Sequence, residues 1–167
     1  SLGALSINNA IANNIQLIMN LGVNLIWQTG TAFKIRSEEC LLGINSNRVS
    51  VHTFIKKMNQ AYAVSDIIIS RAGAIAISEL CCIGKPAILI PSPNVSENHQ
   101  YKNAQSLVNK NAALLVEDSH ANSKLVCTLK DLLSNEDLMQ SLSSNIKKIA
   151  VTNAADKIAK IALGLVK

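Results

Sequence analysis

Apolar positions along the chain fall into two alternating kinds of run. One kind is short and continuous. Asp66 to Ser70 carries Ile67-Ile68-Ile69, Pro86 to Pro91 carries Ala87-Ile88-Leu89-Ile90, and Ala113 to Val116 is apolar throughout. Such runs, bounded by turn residues, fit strands buried on both faces of a parallel sheet. Val23 to Gln28, ended by Thr29-Gly30, and Arg48 to Ile55 with its exit loop read as two further strands. The other kind recurs at helical spacing. It covers Leu5 toward Leu21, roughly Ala32 to Leu42, Met58 to Val64, the stretch from Gly73 to Ile83, and Asn98 to Asn109. From about Ser123 to Lys167 it predicts two or three more helical segments. Strands alternating with helices predict a doubly wound parallel sheet, a Rossmann-like α/β fold. No repeat, low-complexity run or linker interrupts the pattern, so residues 1–167 read as one domain.

The first helical segment opens directly behind Ser1-Leu2-Gly3-Ala4, with no initiator Met and no preceding strand. A helix entered from a small-residue turn calls for a strand before it, so the chain reads as a piece of a longer protein. In doubly wound sheets, ligands bind at the carboxyl ends of the strands. Four stretches are expected there: Ser1 to Ala4, Phe54-Ile55, Arg71 to Glu79, and Pro91 to Asn103.

Ser70-Arg71-Ala72-Gly73-Ala74-Ile75-Ala76-Ile77-Ser78-Glu79 is the most informative of the four. A strand passing through a glycine turn into a helix leaves several backbone N–H groups unpaired at one point. Those donors and the helix dipole favour a phosphate. Glu79, six residues beyond Gly73, can accept hydrogen bonds from vicinal sugar hydroxyls. A diphosphate and a ribose at one turn suggest a nucleotide. Strand, glycine and helix also occur in many doubly wound domains without a ligand, so the surrounding motifs must decide. Between Ser92 and Ala104 a polar loop enters a helix, with His99, Gln100 and Asn103 close together. Gln100 and Asn103 are three apart on one helical face, and amides both donate and accept, which suits sugar hydroxyls. Taken alone, His99 reads as an ordinary surface residue.

Composition narrows the classes. Hydrophobic residues make up 49% of the chain, which excludes disorder, and aromatics only 3%, which argues against a base-stacking nucleic-acid platform. No nucleic-acid partner is expected. A net charge of +5 suits anionic partners, a phosphorylated ligand or a membrane surface, although the lysines are scattered as on any solvated basic surface. No apolar run is long enough to span a membrane, and no signal peptide is visible. Cys40, Cys81, Cys82 and Cys127 match no zinc or redox spacing and read as buried free thiols in a reducing cytoplasm. No Asp-x-Asp motif for a divalent cation occurs.

Several motifs in one order carry a resemblance: Ser1-x-Gly3-Ala4, Thr53-Phe54-Ile55, Arg71-x-Gly73-Ala74 with Ser78-Glu79, Gly84-x-Pro86-Ala87, and Asn98-His99-Gln100-x-x-Asn103-Ala104. Together they resemble the C-terminal half of the MurG family, glycosyltransferase family 28, over essentially the whole chain. The resemblance implies one half of a GT-B architecture, the domain that binds the donor UDP-N-acetylglucosamine. The acceptor, lipid I, and contact with the cytoplasmic membrane surface would belong to an N-terminal domain outside this chain. It also implies a metal-independent, inverting transfer that makes lipid II for peptidoglycan, by a cytoplasmic enzyme peripheral to the membrane.

Residue by residue, the resemblance assigns Ser1 to a donor phosphate and the backbone of Ile55 to the uracil edge, with Phe54 and Met58 near the base. Gly73, Ala74 and Ile75 would present the helix N-terminus to the diphosphate, and Glu79 would hold the ribose hydroxyls. His99 and Gln100 would face the N-acetylglucosamine, supported by Asn103. No catalytic base is expected within this chain. Ala72 and Ala76 stand where the family often has serine and threonine, removing two hydroxyls expected near the phosphates. Two other classes share parts of this pattern. One comprises other GT-B enzymes on UDP-sugars, such as a glycolipid glucosyltransferase or an epimerase, and the other non-catalytic nucleotide-binding modules. An epimerase calls for extra carboxylates in the sugar pocket, where Pro91 to Asn103 offers only Glu97.

Overall fold

The computed structural model describes residues 4–44 and 46–165. Strands β1 (Leu25–Gln28), β2 (Val49–His52), β3 (Ile68–Ser70), β4 (Ala87–Leu89) and β5 (Leu114–Leu115) alternate with helices. In chain order these are α1 (Leu5–Asn13), α2 (Ile15–Asn20), α3 (Lys34–Glu39), α4 (Met58–Val64), α5 (Ala74–Ile83) and α6 (His99–Val108). After β5 come α7 (Ala121–Leu133), α8 (Glu136–Lys148) and α9 (Ala154–Leu165). Every strand pair is parallel, as the alternation of strands with helices implies.

The strands pair in two groups, β1 with β2 and β4 between β3 and β5. A shared core joins the groups. Trp27 of β1 is buried in the same cluster as Ile88 of β4, Ile7 and Ile11 of α1, and Leu125 and Leu132 of α7. Successive residues of β4 and the Ile90 that follows it divide between two cores: Ile88 and Ile90 face this cluster, while Ala87 and Leu89 pack with Leu80 of α5, Leu107 of α6 and Ile146 of α8. Side chains alternate across a strand, so β4 is covered on both faces, and each fully buried Ile or Leu contributes about 1.5–3 kcal/mol. Gly84 ends α5 in the left-handed conformation at φ 69°, its N–H bonding Leu80 O at 2.9 Å, a position where glycine is free of strain.

The structure departs from the sequence reading at three places. The first helical stretch is broken at Asn14 (φ −116°, ψ 15°). The cause is the Asn14 side chain: its Nδ2 donates to Ala10 O at 2.8 Å, the carbonyl that its own N–H would take in an unbroken helix, and to Asn122 O at 3.0 Å. The N–H turns instead to Ile11 O at 3.2 Å. The second helical stretch is shorter than expected, a 3₁₀ turn at Thr31–Phe33 leading into α3, which ends at Glu39. The cysteines are free, but only Cys81 is buried. Cys40 is half-buried, and Cys82 and Cys127 are exposed. Neighbouring residues on a helix point about 100° apart, so Cys81 and Cys82 cannot both face the core.

Candidate functional site

At the carboxyl end of β3 the chain turns through Arg71-Ala72-Gly73 into α5. Gly73 is the N-cap, at φ −67° and ψ 150°, so any residue type could adopt its backbone. A Cβ added there would meet no other atom within 4 Å, which leaves open space in front of the helix. No side chain caps this end, and the first intrahelical bond runs from Ile77 N–H to Gly73 O at 2.9 Å. The amides of Ala74, Ile75 and Ala76 therefore lie in the unpaired first turn, where the dipole of a ten-residue helix favours an anion. Ala74 is exposed and Ile75 is 78% exposed, so the end is accessible.

Ala72, by contrast, is fully buried in the core with Leu80 and Ala104. Its side chain faces the interior, so the expectation that a hydroxyl here is lost from the phosphate environment is corrected. Ala76 is half-buried.

Arg71, present in the sequence motif but given no role there, is the anchor of this turn. Its Nη1 donates to Ile90 O at 2.9 Å and to the Asp118 carboxylate, and its Nη2 donates to Ser6 Oγ at 2.9 Å. Ser6 in turn donates to Asp118. This network ties the ends of β3 and β4 to the first turn of α1 and to the segment after β5. The Arg71 and Asp118 side chains are only 22% and 21% exposed, so the pair is well shielded. Asn103, on α6, steadies the same turn from the other side through Nδ2 to Ala72 O at 3.1 Å.

Glu79 is exposed on α5, six residues beyond Gly73. Tyr62 of α4 donates its hydroxyl to Glu79 Oε2 at 3.2 Å. Burial, together with the neighbouring Glu79 charge and this bond, pushes the Tyr62 hydroxyl up to about 12 from its ordinary 10.0. Because the folded state resists ionisation of Tyr62, the associated stability is fully present below pH 10 and is lost as pH rises toward 12. Below pH 10 Tyr62 remains a donor to the carboxylate.

On the neighbouring strands, Gln28 closes β1 opposite His52. Gly30 N–H bonds Thr53 O at 3.1 Å, and Ile55 N–H bonds Gln28 Oε1 at 2.8 Å. The sequence reading placed the Ile55 backbone on a base edge. The structure has that N–H engaged by Gln28. Phe54 is 70% exposed, and Ile55 and Met58 are half-buried.

In the last loop, Glu97 and Asn98 adopt left-handed backbone conformations at φ 51° and 54° just before α6. His99 is exposed at the first position of that helix. Gln100 accepts from Ser92 N–H through Oε1 at 2.9 Å, holding the loop that follows β4 and leaving its NH₂ for other partners. Ser1, assigned to a phosphate from the sequence, lies outside the described residues.

The candidate residues lie along the rim formed by the carboxyl ends of the strands. A groove of about 460 Å³ runs along Tyr101, Lys102, Gln105, Ser106, Asn109 and Lys110, and a polar one of about 320 Å³ lies between Ser6, Asn13, Arg36 and Asn122. Neither includes Gly73, Glu79 or Ile55. The contacts that unite the rim are those of Arg71, Asn103, Tyr62 and Gln28, all between residues 17 to 65 positions apart in sequence. Among the described residues no three His, Cys, Asp or Glu side chains gather as a metal set, and no helix is long and apolar enough to cross a membrane.

Comparison with known proteins shows the family. Residues 1–159 match the model of the glycosyltransferase family 28 C-terminal domain. A Cytophaga hutchinsonii protein named UDP-N-acetylglucosamine--N-acetylmuramyl-(pentapeptide) pyrophosphoryl-undecaprenol N-acetylglucosamine transferase is 46% identical over 158 residues, covering 95% of this chain and 42% of that protein. A protein of the same name from Flavobacterium psychrophilum is 42% identical over 166 residues, covering 99% of this chain and 44% of its own length. The crystal structure of Acinetobacter baumannii MurG superimposes with a TM-score of 0.82 at 23% identity, covering 99% of this chain and 48% of that one, which establishes a shared fold. The chain thus spans less than half the length of these relatives.

Proposed function

Because this chain belongs to the glycosyltransferase family 28 C-terminal domains, we propose that it is the donor-binding half of an N-acetylglucosaminyltransferase of peptidoglycan synthesis. The observation that carries this reading is 46% identity, over 95% of the chain, to a protein named for that transfer. The donor is UDP-N-acetylglucosamine and the acceptor a lipid-linked muramoyl pentapeptide, lipid I, which a separate N-terminal domain binds.

In this reading the diphosphate sits before the open first turn of α5, and Glu79 accepts the ribose hydroxyls. Phe54, Ile55 and Met58 receive the base, and His99 and Gln100 meet the sugar. The acceptor hydroxyl attacks the anomeric carbon from the face opposite the diphosphate. A new carbon–oxygen bond forms, the bond to the diphosphate breaks, UDP departs with the electron pair, and configuration inverts. Backbone amides of α5 are fixed in place before reaction, so they stabilise the growing charge on the leaving diphosphate without reorganising.

The proton of the attacking hydroxyl goes to a base outside this chain. His52 is bonded to Ser50 Oγ at 2.8 Å, His120 lies 3.2 Å from Glu117, and His99 stands on the donor side. Work on a polyprenyl-linked acceptor calls for an enzyme at the cytoplasmic membrane surface, a contact made through the N-terminal domain. Isothermal titration of UDP into this chain is expected to give saturable binding, unchanged by a chelator because no metal takes part. A folded sample showing no binding at millimolar UDP contradicts the proposal.

A further inference from the structure

Asp118 belongs to none of the sequence motifs, yet it stands where three segments of the rim meet. It follows β5 in a short 3₁₀ turn, Asp118–His120, and Val116 N–H bonds Leu89 O at 2.9 Å, which pins this segment beside the end of β4. The Asp118 carboxylate accepts from Arg71 Nη1 and from Ser6 Oγ. Arg71 lies two residues before Gly73, the N-cap of α5, and Ser6 is the second residue of α1. Arg71 also donates to Ser6 Oγ and to Ile90 O, both at 2.9 Å, and Ile90 directly follows β4. One carboxylate therefore braces the entry to α1, the entry to α5 and the exit of β4. Neither helix is capped by a side chain: α1 opens at Ala4, with Asn8 N–H bonded to Ala4 O at 2.8 Å, and α5 opens at Gly73. Two such ends carry like partial charge, so they repel each other and attract the same anion. Their relative placement needs a brace.

We propose that Asp118 is a positioning residue for the donor diphosphate. By holding Arg71 and Ser6 together, it sets the entry of α1 against the entry of α5, so that both helix ends address one diphosphate. The inference rests on the reading of the site as one for a UDP-sugar and adds a residue that acts on the ligand only through its neighbours. Both Nη groups of Arg71 are engaged, by Asp118, Ser6 Oγ and Ile90 O, so the guanidinium serves as a strut between backbone segments. The carboxylate offsets its charge, which keeps the strut in place in a shielded position.

Asp118→Ala tests this through the phosphates of the ligand. UDP and uridine share base and ribose, so the ratio of their affinities reports the diphosphate alone. Titration of both is expected to show the UDP-to-uridine ratio falling about fivefold or more in Asp118→Ala, with uridine affinity within about twofold of the parent. Ser6→Ala cuts only the α1 side of the brace and leaves Arg71 paired with Asp118. It is expected to lower the ratio by less, and it decides the matter if Asp118→Ala does not fold. Asp118→Asn keeps an acceptor for both donors and is expected to recover part of the loss. A ratio unchanged or raised in these variants, or UDP and uridine weakened alike, overturns the positioning role while leaving the UDP site standing. A parent chain that binds neither ligand overturns the underlying reading and this inference with it.

Discussion

Arg71→Ala is expected to lower the thermal unfolding midpoint by roughly 5–15 °C, the largest loss from any change at the rim. The guanidinium makes bonds to Ile90 O, Ser6 Oγ and Asp118. Removing it leaves the Asp118 carboxylate, four-fifths buried, with Ser6 as its remaining partner. Stripping one member from a shielded charge pair usually costs more than the pair contributed, because the other charge stays desolvated. Three lost bonds to a charged group and this penalty together give about 2–4 kcal/mol. Arg71→Lys should lie between the two, since a lysine restores charge but not a fork that reaches three acceptors. UDP binding is expected to weaken in parallel, because the same bonds fix the turn before α5. A midpoint within about 2 °C of the parent would show that the network is ornamental.

Glu79→Ala is expected to weaken UDP about 10–150-fold while leaving 2′,3′-dideoxy-UDP nearly unaffected. The span corresponds to roughly 1.5–3 kcal/mol for hydrogen bonds to a charged acceptor. Glu79 is exposed, and the described structure gives it one partner, Tyr62 Oη, so its removal disturbs little else. The dideoxy ligand lacks the hydroxyls that Glu79 would accept and serves as the internal control. Equal losses for both ligands would assign Glu79 a purely structural part.

What could be read from the sequence follows from the range of each interaction. The central strand β4 was legible because burial on both faces leaves a continuous apolar signature at Ala87-Ile88-Leu89. The turn at Gly73 and the helix stop at Gly84 were legible for the same reason: the chemistry is local. The break at Asn14 was not, since it depends on which carbonyl one side chain finds, and one of its partners lies 108 residues away. Ala72 shows the limit of carrying a family position over by residue type, because whether it faces ligand or core depends on the sheet packed behind it. The Arg71–Asp118 pair, 47 residues apart, and the Gln28–Ile55 bond, 27 apart, had no signal beyond a polar residue at a strand's carboxyl end. That signal would have sufficed to nominate Gln28 and Asp118, given the rule that ligands gather at such ends.

Transfer of labelled N-acetylglucosamine to a lipid I analogue tests the division of labour most directly. This chain alone is expected to stay at background, and the same chain joined to the N-terminal half of the Cytophaga hutchinsonii relative is expected to form the labelled lipid product. Turnover by the isolated chain, or a joined protein that binds UDP but never transfers the sugar, would contradict the account.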